Sequence, residues 1–139
     1  MANVSIRNLG VSIDGNAVLG RLDLDVHEGE FLVLLGPSGC GKSTLLQAIA
    51  GLIDVREGAV HIGGLDMTWI DPSERNIGMV FQSYALYPTM TVEGNLSFGL
   101  RVKGLPRAEI ARRVSHAASM LQLEPLLRRK PSQLSGGQR

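Results

Sequence analysis

Residues 36–44 read Gly-Pro-Ser-Gly-Cys-Gly-Lys-Ser-Thr, which sets Gly36, Gly41, Lys42 and Ser43 in the order Gly-x-x-x-x-Gly-Lys-Ser. These residue types at this spacing suit one chemistry, the holding of phosphate groups. Glycines let backbone N–H groups turn inward and approach phosphate oxygens with no Cβ in the way. Pro37, Ser38, Gly39 and Cys40 fill the span between the two framing glycines. Lys42 brings a positive charge for the outer phosphates, Ser43 a hydroxyl suited to Mg²⁺, and Thr44 a hydroxyl near the innermost phosphate. The start of the helix expected to follow adds its partial positive charge. Cys40 has no paired histidine in the pattern, so it reads as an exposed spacer open to alkylation rather than as a nucleophile.

A second run, Leu134-Ser135-Gly136-Gly137-Gln138, offers related chemistry. A serine hydroxyl and two glycine N–H groups at a helix start make another anion site. If the two anion sites lie at opposite ends of the surface, one chain cannot close both on the same phosphate, and a partner chain is implied. The basic cluster Arg128-Arg129-Lys130 precedes this run. It is either a solvated charge run or, through Arg129, a further contact for the partner's phosphates.

The elements that must carry these residues can be read from periodicity. Val4, Ile6 and Leu9 predict a first strand, and Leu22, Leu24 and Val26 alternate with Asp23 and Asp25 as a half-buried second. Phe31 to Leu35 is a continuous apolar run, expected for a strand buried on both faces. The glycine loop follows, then a helix over 43–50 closed by Gly51. Short strands are predicted over 58–63 and 76–81. A helix over 93–102 has Thr91 as its N-cap, and another runs from Pro106 to Leu123 with Ile110, Val114, Ala117 and Leu121 on one face. Glu74 and Arg75 read as a surface pair or cap, and Trp69 and Met67 as packing or surface residues. Strand, glycine loop and helix in that order indicate an α/β layered core with a β region in front.

The bulk numbers narrow the class. At 139 residues, 44% apolar and 19% charged, the chain is one domain's worth of globular protein. A net charge of +1 with scattered Lys and Arg calls for neither nucleic acid nor an acidic membrane surface. A single cysteine excludes an internal disulfide, which suits a reducing compartment. No apolar run is long enough to span a bilayer, so a membrane connection would go through a partner.

With Val80-Phe81-Gln82 between the two glycine motifs, the chain resembles the ATP-binding subunits of ABC transporters, and in detail the ATPase subunits of maltose-type sugar importers. Gly36–Leu46, Gly78–Pro88 and Leu134–Arg139 carry the likeness, which runs from about Val4 to Arg139. The resemblance implies a P-loop ATPase core with an antiparallel β region over 1–82 and a helical subdomain over 83–139 ending in the signature motif. It implies a homodimer of such subunits that sandwiches two ATP molecules. Each ATP would lie on the loop of one chain and under Leu134–Gln138 of the other. It assigns Gln82, with Ser43, to Mg²⁺ and the attacking water. It places Ser83–Pro88 in the groove that receives transmembrane permease subunits, at the cytoplasmic face of the inner membrane. Local packing of Tyr84 and Tyr87 is the plainer reading of that stretch. His27, His61 and His116 do not fall where the family has its switch histidine. A DNA-repair or chromosome-maintenance ATPase of the same family would carry a coiled-coil or zinc insertion between the motifs, and none is present.

Further family motifs lie beyond the signature: a strand ending in Asp then Glu, and the switch histidine. The 139 residues contain none of them, so the expected sheet is incomplete and the alternative is a fragment that at most binds nucleotide. The family also stacks an aromatic residue on adenine near position 13. This chain has Ile13, with no aromatic from Met1 to Glu30. Stacking on a base is worth about 1–3 kcal/mol in nucleic-acid binders, so its loss predicts weak base selection. Competition binding should give comparable ATP and GTP affinities; a strong ATP preference would refute this reading of Ile13.

Overall fold

The computed structural model describes residues 2–138. They divide into two compact units, Met1–Met79 and Val80–Arg139.

The first unit is a four-stranded antiparallel sheet with one helix. Strands β1 (Val4–Ile13), β2 (Asn16–Val26), β3 (Glu57–Ile62) and β4 (Leu65–Asp66) stand in the order β2-β1-β3-β4. Two hairpins use two-residue turns with both central residues at positive φ: Asp14-Gly15 at 50° and 79°, Gly63-Gly64 at 60° and 80°. Such turns match the twist of the strands they join. The second of them creates β4, an element the periodicity did not predict.

β1 explains how a strand without strict alternation builds a core. Ile6, Leu9 and Val11 are all buried, although residue 6 and residues 9 and 11 have opposite parity. Asn8, at φ 48°, sits where the register shifts between Ile6 and Leu9. This bulge adds one residue and returns Leu9 and Val11 to the face of Ile6. The Asn8 N–H is taken by the Asp23 carboxylate at 2.8 Å. Opposite it, a Cβ on Gly58 would stand 2.3 Å from the Asn8 carbonyl oxygen, so no other residue fits there.

Helix α1 (Lys42–Ala50) places Leu45 and Ala48 in one cluster with Ile6, Leu9, Val11, Val55, Val60 and Ile62. A nine-residue helix is marginal alone in water, so this packing carries it. Each such aliphatic side chain contributes about 1.5–3 kcal/mol on burial. Gly51, at φ 76°, ends the helix: its N–H bonds to the Ala48 carbonyl at 3.1 Å and that of Leu52 to Gln47 at 2.9 Å.

The strands expected at 31–35 and 76–81 do not form. Phe31 and Leu35 are 90% and 88% exposed, Val80 98%, and only Leu34 of the first run packs on the core. A central strand takes its ladder bonds from neighbours on both edges. Among the described residues no strand pairs with either segment, and an apolar side-chain pattern cannot supply backbone partners. Arg75 is a second correction. It pairs with no Glu74 but is buried at 4% exposure against the end of α1. Trp69 lies on the surface.

The second unit holds α2 (Val92–Val102), α3 (Arg107–Met120) and short 3₁₀ turns at Glu124–Leu126, Pro131–Gln133 and Gly136–Gln138. α3 buries Val114 and Ala118. Leu121, expected on that face, is exposed because the helix has already ended and Gln122 turns the chain at φ 55°. Val92, Leu126 and Leu134 form the core of this unit, with Leu96, Leu123 and Leu127 packed around them.

The first four N–H groups of α2 all find acceptors. Val92 and Glu93 donate to the carbonyls of Arg129 and Leu127 at 2.8 and 3.0 Å, Gly94 to Thr91 Oγ1 at 3.1 Å, and Asn95 to the Thr91 carbonyl at 2.9 Å. The helix start thereby fixes the 127–129 segment that leads to residues 134–138. Thr91→Ala should lower the unfolding free energy by about 1 kcal/mol in urea denaturation followed by far-UV circular dichroism, with Thr91→Ser close to unchanged.

Candidate functional site

The glycine loop lies between the unpaired apolar run and α1. Gly39 and Gly41 have φ of 83° and 92°, and Gly36 has 155°. Gly41 is doubly required. Its φ is left-handed, and a Cβ there would meet Leu19 Cδ2 at 2.6 Å and the Val18 carbonyl oxygen at 3.3 Å. The loop is therefore seated on β2. A Cβ on Gly36 would stand 2.8 Å from the Cys40 sulfur.

The Lys42 ammonium bridges the loop, donating to the carbonyls of Gly36 at 2.8 Å and Pro37 at 2.7 Å, and to Cys40 Sγ at 3.3 Å. Its three protons thus stand over the mouth of the loop. Ser43 is exposed and Thr44 half-buried at the start of α1. That start carries no side-chain cap and no acidic residue in its first turn. Most helices fill this end with a Ser, Asp or Glu oxygen. Here the uncapped positive end of the helix and the Lys42 ammonium belong to one loop, an arrangement that fits a polyphosphate. No cluster of three or more His, Cys, Asp or Glu suited to a metal exists among the described residues.

Ile13 sits at the β1–β2 hairpin tip, paired with Asn16 and 43% exposed. From Leu19, which touches the loop at Gly41, it is three strand residues to Asn16, roughly 10 Å along β2. An apolar side chain is thus presented on the same hairpin that supports the loop.

In the second unit Gln82 is exposed, as are Ser83, Tyr84 and Ala85. Tyr84 and Ala85 take φ of 66° and 47°. Tyr87 packs its ring on Phe98, centroids 4.6 Å apart. The Asn95 side chain ties this stretch to α2: it accepts from the Tyr87 N–H at 2.8 Å and donates to the carbonyls of Tyr87 and Thr91 at 3.2 and 2.9 Å. Sequence reasoning passed over Asn95. Its signal was a side chain that competes with backbone bonding placed one turn inside a helix.

At the second glycine motif Leu134 is buried and anchors the run, while Ser135, Gly136 and Gly137 are exposed. The Gln138 side chain accepts from the Ser135 N–H at 3.1 Å, and the Gln138 N–H bonds back to the Ser135 carbonyl at 3.0 Å. This closed turn leaves Ser135, Gly136 and Gly137 exposed. Arg129 is exposed, and its carbonyl is the one that accepts from Val92. Its neighbours Arg128 and Lys130 are exposed too.

A family described as ABC transporter matches residues 19–139. The sn-glycerol-3-phosphate import ATP-binding protein of Cupriavidus necator is 52% identical over 140 residues, covering 100% of this chain and 38% of that protein. The maltose/maltodextrin import ATP-binding protein of Mannheimia succiniciproducens is 54% identical over 139 residues, covering 100% and 37%. The chain therefore spans 37–38% of the length of these curated relatives. An ATP-binding cassette solved as a dimer in a post-hydrolysis state with ADP and Pi superposes with a TM-score of 0.84 at 33% identity, over 97% of this chain and 64% of that one.

Cys40 is exposed and free, against the Lys42 ammonium at the loop mouth. Alkylation with N-ethylmaleimide should abolish nucleotide binding, and ATP present beforehand should slow the labelling several-fold when adduct formation is followed by mass spectrometry.

Proposed function

The chain belongs to the ABC transporter family, and from that premise we propose that it is the nucleotide-holding portion of an import ATP-binding subunit. The observation that carries this is the glycine loop seated on β2 and running into a helix with an uncapped start. Gly36–Thr44 would wrap the phosphates with backbone amides. Lys42 would exchange its loop carbonyls for phosphate oxygens, and Ser43 would join Mg²⁺. When bound, Mg²⁺–ATP supplies the free energy that drives transport in such subunits. Ile13 would lie against the base. Gln82 would act at the metal and the attacking water, as the resemblance assigns.

Residues 135–138 form an exposed turn with two glycines, suited to a phosphate presented by another copy of the chain. Arg129 stands in the segment just ahead of it. A homodimer with two shared ATP sites follows, and the related cassette bound to ADP and Pi is itself dimeric. Ser83–Pro88, with Tyr84 exposed and the Tyr87 backbone bonded to the Asn95 side chain, would receive a permease subunit. No helix among the described residues is long and apolar enough to cross a membrane, so attachment to the cytoplasmic face would go through that permease. The solute is a small polar compound of the sugar or sugar-phosphate kind. The relatives named for glycerol-3-phosphate and maltose import support this.

A second reading concerns these 139 residues taken alone. They contain no apolar strand ending in Asp-Glu, so nucleotide binding without turnover is the expected behaviour of this piece. Isothermal titration with ATP should give measurable affinity that Lys42→Ala weakens at least tenfold, while a coupled ATPase assay stays at background. Robust Mg²⁺-dependent turnover abolished by Lys42→Ala would overturn the second reading and leave the first.

A further inference from the structure

We propose that Arg75 is a positioning residue for the phosphate loop: from the far end of α1 it sets the axis of the helix whose first residues would hold the phosphates. The inference rests on the reading of residues 36–44 as a phosphate loop.

Arg75 donates to four carbonyls at once. Nη1 reaches those of Ala48 at 3.0 Å and Ile49 at 2.9 Å, in the last turn of α1. Nε reaches that of Ile70 at 2.8 Å, and Nη2 that of Thr68 at 3.1 Å. Among the described residues no carboxylate stands within ion-pair distance of it. A buried cation without a counter-ion is costly unless dipoles replace the water it lost. Four carbonyls and the negative end of α1 do so here. Burial still pulls the guanidinium pKa down from its ordinary value.

The far side of this clamp is itself fixed. The Thr68 hydroxyl accepts from the Val60 N–H of β3 at 3.0 Å, and the Thr68 N–H is held by Asp66 at 2.9 Å. The Met67 N–H bonds to the Val60 carbonyl at 2.8 Å. Arg75 therefore ties the end of α1 to a loop bolted onto the sheet. Gly51 makes room for it, since a Cβ there would lie 2.5 Å from Arg75 Nε.

At its other end α1 begins at Gly41, wedged against Leu19 and Val18. With that end pinned, releasing the C-terminal turn tilts the helix about Gly41. The N–H groups of the first turn then rotate off the line on which they meet phosphate oxygens. Misalignments of about 1 Å are enough to weaken such sites strongly. Lysine cannot substitute, because a compact ammonium with three protons cannot span four carbonyls set around a planar fork.

The test compares ATP, ADP and adenosine binding to the chain carrying Arg75→Lys, Arg75→Gln or Lys42→Ala. Each is measured at a temperature where circular dichroism shows the variant fully folded. Expected is an affinity loss of about tenfold for ATP and ADP in both Arg75 variants, with adenosine unchanged and Lys42→Ala losing more. Folded Arg75 variants that bind ATP like the parent chain, beside a Lys42→Ala chain that has lost binding, overturn the inference and leave the loop reading standing. A Lys42→Ala chain that binds normally overturns both. A measurement on the unaltered chain covers the case in which the variants do not fold. Coupling between two sites is reciprocal, so ATP should slow hydrogen exchange of the Arg75 Nε–H in NMR by a few fold, and an unchanged rate overturns the inference.

Discussion

A helix that offers its first turn to a ligand cannot also be stabilised there. α1 has neither a side-chain cap nor an acidic residue at its start. Both are common stabilisers of helices, and either would place oxygen where phosphate oxygens would go. The helix is also only nine residues long. Its stability must therefore come from its flank and its far end. Leu45 and Ala48 anchor the flank in the β1–β3 core, Gly51 turns the chain, and Arg75 takes up carbonyls of the last turn. The β1 bulge belongs to the same requirement, because without the residue inserted at Asn8 the side chains of Leu9 and Val11 would not face α1's cluster.

The start of α2 answers the opposite demand. Every one of its first four donors is used, two of them on the carbonyls of Leu127 and Arg129. Those bonds hold the segment ahead of Leu134, and Leu134 is buried beside Val92. The result is an exposed turn at 135–138 carried on a fixed base. One helix start is left without a cap, and another has all four of its donors used. Asn95 extends this second role to the Tyr87 stretch through bonds to its backbone.

Motif chemistry was the most legible part of the chain. The glycines at 36, 39 and 41 announced a loop of unusual backbone geometry, and their dihedrals are of that kind. Thr91 was readable as a cap because a hydroxyl ahead of an amphipathic run has one obvious partner, the amide of Gly94. The apolar runs at 31–35 and 76–81 misled. Hydrophobicity reports what a segment would do if strands stood on either side, and it carries no information on whether they do. Arg75 misled in the reverse direction: a charged residue next to Glu74 reads as surface, yet it is among the most buried side chains of its unit.

Local rules thus decided the residue types of the glycine loop, the Thr91 cap, the Gly51 helix end and the motifs that mark the family. Each depends on a few neighbouring residues and on backbone sterics, which are written in the order of the chain. Tertiary structure alone decided that Asn8 shifts the face of β1, that Leu19 supports Gly41, and that Arg75 closes on a helix end 26 and 27 residues away in sequence. Those outcomes depend on which backbone carbonyls and side chains the folded sheet leaves without a partner, and no periodicity encodes that.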